Sequence, residues 1–382
     1  MKREGLRGLR QERLKKLEEL KKRGIDPYPA RVKRTHTAVA KVLELLERWR
    51  TEKVALPEVT ICGRIMSVRI MGRASFAHIA DGTGRIQIYV TEDADSLGED
   101  GYRFFKKDLD IGDFIEVEGK PFYTTTGEPS LRVWRLTLLA KSLRPLPEKW
   151  HGLKDVETRY RQRYLDLIAN EEVRRIFLAR SGIISAMRRF LDERGFIEVE
   201  TPILQPIYGG AAARPFETYH HALHRKLYLR IADELYLKRL IIGGFERVYE
   251  IGKDFRNEGL STVHNPEFTQ LEAYQAYADY EDMRRLAEEC FAYTAQEVLE
   301  TTKITYQGNE IDLTPPWRRV TMRQAIIQET SIDIEGVDSF SALKEALAEK
   351  GLEVTPKETW GKLVEELFKE YVEPTLIQPT FV

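Results

Sequence analysis

Between residues 254 and 274 the chain reads Asp254-Phe-Arg-Asn-Glu-Gly-Leu-Ser-Thr-Val-His-Asn-Pro-Glu-Phe-Thr-Gln-Leu-Glu-Ala-Tyr274, a strand, a polar loop over 257–265 and a strand returning after Pro266. On the returning strand Phe268, Gln270, Glu272 and Tyr274 share one parity, so one face offers an aromatic plane, an amide, a carboxylate and a phenol. Arg256 stands at the mouth of the loop and His264 at its exit. A guanidinium grips phosphate through paired N–H bonds and keeps its charge, and a buried carboxylate is the natural partner of an ammonium. Such a face can hold a nucleotide and a cationic group together. Glu267 and Thr269, on the other parity, read as structural, and Tyr277 and Tyr280 as packing residues.

A second set of candidate residues lies nearer the N-terminus. In 85–90, Ile86, Ile88 and Val90 share one face, and Arg85, Gln87 and Tyr89 the other; in 74–80, Ala77 and Ile79 oppose Phe76 and His78. One face fills a core. The other displays rings, an amide and a guanidinium, the chemistry that stacks on an unpaired base and bonds its edge. A polar solvent face is the competing reading for each position alone, but an exposed Phe76 beside Gln87 and Arg85 has no packing reason.

These residues need elements to position them. Runs at 59–70, 74–80, 85–90, 113–120 and 131–139, broken by turns such as Asp81-Gly-Thr-Gly84, predict five short strands, suited to a small closed barrel of the oligonucleotide-binding type. Before them, 6–23 predicts a helix with Leu6, Leu9, Leu14, Leu17 and Leu20 as a partial stripe, ended by Gly24. After the linker Lys141–Lys149, 171–194 predicts a helix carrying Val173, Ile176, Phe177, Ile183, Ile184, Met187, Phe190 and Leu191, with a strand from Phe196 to Thr201 stopped by Pro202. Further strands at 226–231, 245–256 and 267–277 and helices near 232–241, 281–300, 340–350 and 359–371 show no regular βα alternation and no Gly-rich phosphate loop. The fold class is therefore α+β with a largely antiparallel sheet.

The 382 residues carry 60 Lys+Arg and 61 Asp+Glu, a net charge of -1. Residues 1–53 nevertheless hold 17 basic and 8 acidic side chains, a basic head on an acidic body, suited to a polyanion. Two cysteines exclude a disulfide scaffold, no stretch is long and apolar enough for a membrane helix, and the N-terminus has no secretory apolar region. A cytoplasmic protein with no membrane partner is expected. Cys290 reads as a small hydrophobe, and His220, His221 and His224 lack ligand partners at zinc spacing, so a surface or substrate-adjacent role is expected of them.

The strings Phe255-Arg-Asn-Glu258 and His264-Asn-Pro-Glu-Phe268 resemble motif 2 of the class II aminoacyl-tRNA synthetases, and Gly195-Phe-Ile-Glu-Val-Glu-Thr-Pro202 resembles their motif 1. Met71-Gly-Arg-Ala-Ser-Phe76, Arg144-Pro-Leu-Pro147, Arg159-Tyr-Arg-Gln-Arg-Tyr-Leu165, Gly209-Gly-Ala-Ala-Ala-Arg-Pro-Phe216 and Glu234-Leu-Tyr-Leu-Lys-Arg-Leu240 are similar to the lysyl group of that class, nearly end to end. The resemblance implies lysine–tRNA ligase activity through lysyl-adenylate, with ATP as substrate, Mg2+ as cofactor, tRNA(Lys) and L-lysine as partners, and a homodimer. It implies that Arg256 and His264 are catalytic, and that Arg256, Glu258, His264, Asn265 and Phe268 bind ATP. Lysine would be read by Gly210, Glu234, Arg256, Glu272 and Tyr274, and the anticodon by Arg69, Phe76, Gln87 and Glu128. Pro202 would lie at the dimer interface.

Three domains are expected: a basic helical extension over 1–53, an oligonucleotide-binding anticodon domain over 54–146, and a class II catalytic domain over 147–382. The family's motif 3 and its metal ligands would lie beyond Val382, so the chain reads as truncated and its activity as impaired. Alternatives are a tRNA-binding pseudo-enzyme without activation chemistry and lysine ligation to a protein acceptor. Motif 2 with Glu234, Glu272 and Tyr274 favours the enzyme, since a pure RNA binder has no physical reason to keep them, and the barrel favours tRNA as acceptor.

Overall fold

The computed structural model describes residues 2–32, 35–147, 153–259, 261, 264–355 and 357–382, with side chains from residue 7 onward. The chain forms two compact units, Met1–Val173 and Arg174–Val382. The side chain of Leu6 and the linker residues Glu148 and Lys149 lie outside the described residues.

In the first unit, helices α1 (Lys2–Lys22) and α2 (Val39–Glu52) precede strands β1 (Val59–Met71), β2 (Ala74–Ala80) and β3 (Arg85–Thr91), helix α3 (Gly98–Lys107), and strands β4 (Phe114–Tyr123) and β5 (Pro129–Ala140). The strands close into a barrel in the order β1-β2-β3-β5-β4, as the turn spacing predicts. Alternation fills its interior: Ile61, Ile65, Ala77, Ile79, Ile86, Ile88, Val90, Ile115, Val117, Leu131 and Val133 point inward and are buried. Helix α1 is docked rather than free, with Leu17 and Leu20 buried while Leu9 and Leu14 are exposed. Buried Arg13 donates to the carbonyls of Ser142, Arg144 and Ile111. Helices α2 and α3 were not expected from the sequence. The N-terminus of α2 is capped from outside its own chain segment: Val39 N–H donates to Asp81 Oδ2 at 2.9 Å and Ala40 N–H to Thr83 Oγ1 at 3.1 Å. The Asp81-Gly-Thr-Gly84 turn thus serves a helix as well as a hairpin.

Short helices α4 (Val156–Arg161) and α5 (Arg163–Ala169) follow. Fully buried Asp166 accepts from Arg159 Nε at 2.9 Å and from Asn170, and pairs with Arg163, which explains the Arg-rich string over 159–165.

The second unit begins on α6 (Glu171–Asp192) and continues with β6 (Ile197–Glu198), β7 (Leu204–Gln205), β8 (Glu217–His220), β9 (Arg225–Leu229), α7 (Glu234–Ile242), β10 (Arg247–Phe255), β11 (Glu267–Gln275) and α8 (Tyr280–Leu299). Strands β10 and β11 pair antiparallel from Arg247↔Gln275 to Phe255↔Glu267, and β6 joins β10 in parallel. The expected strand over 196–201 is only two residues long; Val199 N–H still reaches Tyr249 O, and the chain then turns away before Pro202. Tyr249, Ile251, Leu271 and Ala273 pack with Phe190, Leu191, Phe196 and Leu286, so one face of the β10–β11 pair is core. Cys290 joins that cluster, and burial pushes its thiol up. The hairpin β12 (Lys303–Tyr306) and β13 (Asn309–Asp312) follows, then β14 (Arg318–Arg319), α9 (Met322–Thr330), α10 (Phe340–Glu349) and α11 (Trp360–Leu367). The last three helices surround a second core, and β15 (Thr380–Phe381) pairs with β14 in parallel. Tyr277 and Tyr280 are not packing residues: they are 94% and 78% exposed, where β11 turns into α8.

Candidate functional site

With one face of β10–β11 committed to that core, strict alternation turns the other away from it as Asp254↔Phe268, Gly252↔Gln270, Glu250↔Glu272 and Val248↔Tyr274. Arg256 closes its loop by donating N–H to Pro266 O at 3.0 Å, and its guanidinium lies 5.1 Å from the Phe268 ring centroid. Glu272 is oriented by three donors: Gln270 Nε2 at 2.7 Å and Asp233 N–H at 3.3 Å to Oε1, and Tyr274 OH at 3.2 Å to Oε2. Burial and the carboxylates of Glu272 and Glu234 raise the Tyr274 phenol well above its ordinary range, so it stays a donor.

Helix α7 packs against both strands and brings Glu234, whose Oε1 pairs with Lys238 Nζ at 2.7 Å. Gly210 has φ +89, and a Cβ there would stand 2.9 Å from Glu234 Cβ and 3.0 Å from Ala232 Cβ, so glycine lets the chain lie directly beside Glu234. Glu258, His264 and Asn265 sit exposed in the loop beyond Arg256; His264 Nδ1 is 2.8 Å from Ser261 Oγ, and Asn265 Nδ2 donates to Glu267 O. Leu260, Thr262 and Val263 of the 257–265 loop lie outside the described residues. On the other parity, exposed Glu267 pairs with Lys253 and Thr269 Oγ1 accepts from Arg180. Pro202 is exposed and its carbonyl accepts from Gln205.

On the barrel, Phe76 is half-buried with its ring 5.0 Å from Tyr89, which meets Phe122 edge-on at 6.3 Å. The expectation that Phe76 lacks a packing partner is therefore corrected: it ends a row of three rings. Gln87 is nearly buried, donating Nε2–H to Glu128 Oε2 and accepting from Ser130 Oγ, both at 2.8 Å. Glu128 Oε1 meets His78 Nε2 at 2.8 Å, and His78 Nδ1 meets Ser67 Oγ at 3.0 Å. Arg69 is exposed and pairs in register with Phe76. Four residues proposed from sequence thus share one patch, whereas Arg85 lies further along, opposite Ala80.

Residues 155–371 match the family model described as tRNA synthetases class II (D, K and N), and residues 59–139 match that of the OB-fold nucleic acid binding domain. A lysine–tRNA ligase of Roseiflexus sp. (strain RS-1) is 55% identical over 381 residues, 99% of this chain and 76% of the relative. Those of Carboxydothermus hydrogenoformans and Clostridium acetobutylicum are 56% and 51% identical over 97% and 98% of this chain, and 74% and 72% of their own lengths. This chain belongs to the lysine–tRNA ligases. The barrel is an OB-fold, and the class II synthetase domain begins in the last residues of the first unit and takes up most of the second.

The ligase holds one residue set that sequence reasoning missed. Arg230, just after β9, is 1% exposed and donates Nε–H to Lys253 O at 2.9 Å and Nη1–H to Thr201 and Glu250. Its nitrogens also lie 2.8 Å from Asp233 and 3.2 Å from Asp254. A Cβ at position 252 would collide with Arg230 Nη2, so Gly252 is the notch that admits the guanidinium. The signal in the sequence was that glycine inside a strand, which marks close approach of another group.

Among the described residues, Asp233, Asp254 and Glu272 alone lie close enough together to hold a metal ion. The Arg230 guanidinium already stands beside Asp233 and Asp254 as their cation, so these residues do not fit the family's Mg2+. No helix among the described residues is long and apolar enough to cross a membrane. His220, His221 and His224 lie exposed around the β8–β9 turn, with the His221 ring 5.5 Å from Tyr219.

Proposed function

We propose that the ligase activates L-lysine with ATP to lysyl-adenylate and transfers the lysyl group to the 3′ end of tRNA(Lys), in the cytoplasm and as a homodimer. The face of β10–β11 opposite the core carries this reading. From Phe268 to Glu272 the strand advances roughly 13 Å, with a ring and a guanidinium at one end and a carboxylate bound by three donors at the other. A nucleotide base, a phosphate and an ammonium fit that sequence of groups. Phe268 stacks on adenine, Arg256 holds the α-phosphate and the lysine carboxylate, and Glu258, His264 and Asn265 line the ATP side, His264 toward the leaving pyrophosphate. Gly210, Glu234, Glu272 and Tyr274 take the lysine. The lysine carboxylate oxygen attacks the α-phosphorus in line, pyrophosphate leaves, and Arg256 offsets the charge that develops between them.

On the barrel, Phe76 stacks on an anticodon base, while Gln87 and Glu128, held by each other, and Arg69 bond base edges. Apolar side chains exposed on α6, Ile176 and Leu178, and in the segment that flanks Pro202, Ile197 and Ile203, support a second copy of the chain as the partner there. The relatives carry the ligase name over nearly the whole chain, which gives the RNA-binder reading and the reading of impaired activity no support. Lysine-dependent exchange of ATP and pyrophosphate tests the proposal. Arg256→Ala is expected to lower it by about a thousandfold, and exchange that survives the substitution contradicts the phosphate role.

A further inference from the structure

Around Arg230 stand three carboxylates, Asp233, Glu250 and Asp254, with Glu272 beside the two aspartates; they are drawn from α7's entry, β10 and β11. Glu250 is served by Thr201 N–H and Oγ1–H as well as by Arg230, and Glu272 has its three donors. Asp233 and Asp254 are different. Both are fully buried, and all four of their oxygens lack a hydrogen-bond partner; Arg230 is near, but no N–H is aimed at them. The groups facing them are Arg230, Glu250, Glu272 and, toward Asp254, Arg256; Tyr274 is near Asp233 and Glu272, with Glu234 beside it. Arg230 is shared among three carboxylates and bonds Glu250, which leaves the aspartate oxygens without a donor, and a carboxylate left bare and dry takes up a proton instead.

We propose that Asp233 and Asp254 hold a proton that the ammonium group of bound lysine expels to solvent, so that lysine binding is coupled to proton release. This rests on the assignment of Glu272 to the lysine ammonium. The carboxylate oxygens of Asp233, Asp254 and Glu272 lie within 4.8 Å of one another, so a cation docked on Glu272 is felt by both aspartates. Their acidity agrees: burial, then the neighbouring carboxylates, push Asp233 up to about 7, and burial pushes Asp254 up to about 6. A new positive charge lowers both. The O–H bond of the protonated aspartate breaks, its proton passes to buffer, and the carboxylate remains as a further counter-ion. Lysine itself keeps its ammonium proton throughout, since that group titrates far higher.

Titration calorimetry of the full chain with L-lysine, in phosphate and in Tris, reads the proton directly through the difference in heat. The expected release is roughly half a proton per lysine near neutral pH, falling toward zero by about pH 8.5, and lysine affinity weakens roughly tenfold from about pH 8 to about pH 6. The Asp233→Asn, Asp254→Asn double variant, whose amides keep the shape and never ionise, should bind lysine with no buffer-dependent heat. Binding by the unaltered chain with equal heats in both buffers overturns the proposal whether or not the variant folds, as does release that persists in a folded variant. No lysine binding at all overturns the pocket assignment itself, a different result from binding without a proton.

Discussion

At the scale of single residues, the lysine end of the site depends on how Glu272 is held. Its two oxygens accept from an amide, a backbone N–H and a phenol, which orient the carboxylate without neutralising it. An ammonium arriving there meets a full charge already aimed, and charge-assisted hydrogen bonds are about twice as strong as neutral ones. Glu272→Gln keeps the shape and removes the charge. Steady-state kinetics should show the lysine KM rising by about 10- to 100-fold, the cost of a missing charged hydrogen bond, with the ATP KM nearly unchanged. An unaltered lysine KM would remove Glu272 from the pocket. These residues were legible because side chains alternate along a strand: the parity of Phe268, Gln270, Glu272 and Tyr274 is a local property.

At the scale of elements, strand β10 does two jobs. One of its faces packs into the core through Tyr249 and Ile251; the other is cut away at Gly252 so that Arg230 from the end of β9 can lie against it. That guanidinium ties β9, β10 and the entry to α7 together through Lys253, Glu250 and Asp233. Gly252→Ala should drive Arg230 out and strand the carboxylates around it. The expected loss is about 3 kcal/mol of stability, typical of breaking a buried ion pair on one side, seen as a lower melting temperature with a higher lysine KM in whatever remains folded. A melting temperature unchanged within a degree would show that the notch is not needed. A glycine in a strand was visible in the sequence, but its partner, 22 residues earlier, was not: nothing local to Arg230 says which strand it crosses. The capping of α2 by Asp81 and the hydrogen bond between Gln87 and Glu128 were hidden for the same reason.

At the scale of the whole molecule, the net charge of -1 hides a basic head on an acidic body. Part of that head is structural. Arg13 is buried against backbone carbonyls and Lys16 pairs with Asp110 at 2.7 Å, so deleting α1 would injure the barrel as well as remove charge. Arg7, Arg10 and Lys15 are exposed on the same helix. Changing these three to glutamine should leave the melting temperature in place while weakening tRNA binding and flattening its salt dependence, by up to about 0.7–0.9 in the log–log slope for each phosphate that is no longer neutralised. Binding assays across a salt series check this, and an unchanged slope would assign the head to folding alone.

Sequence alone determined the class of chemistry and the sidedness of each strand, because residue type and a two-residue period are local facts. It also carried the family, through long strings in the right order. Tertiary structure decided where Phe76 would find Tyr89, and that three carboxylates from separate segments would share one guanidinium. Those outcomes depend on packing between parts of the chain far apart, and the buried aspartates acquire their unusual chemistry only when that packing removes water.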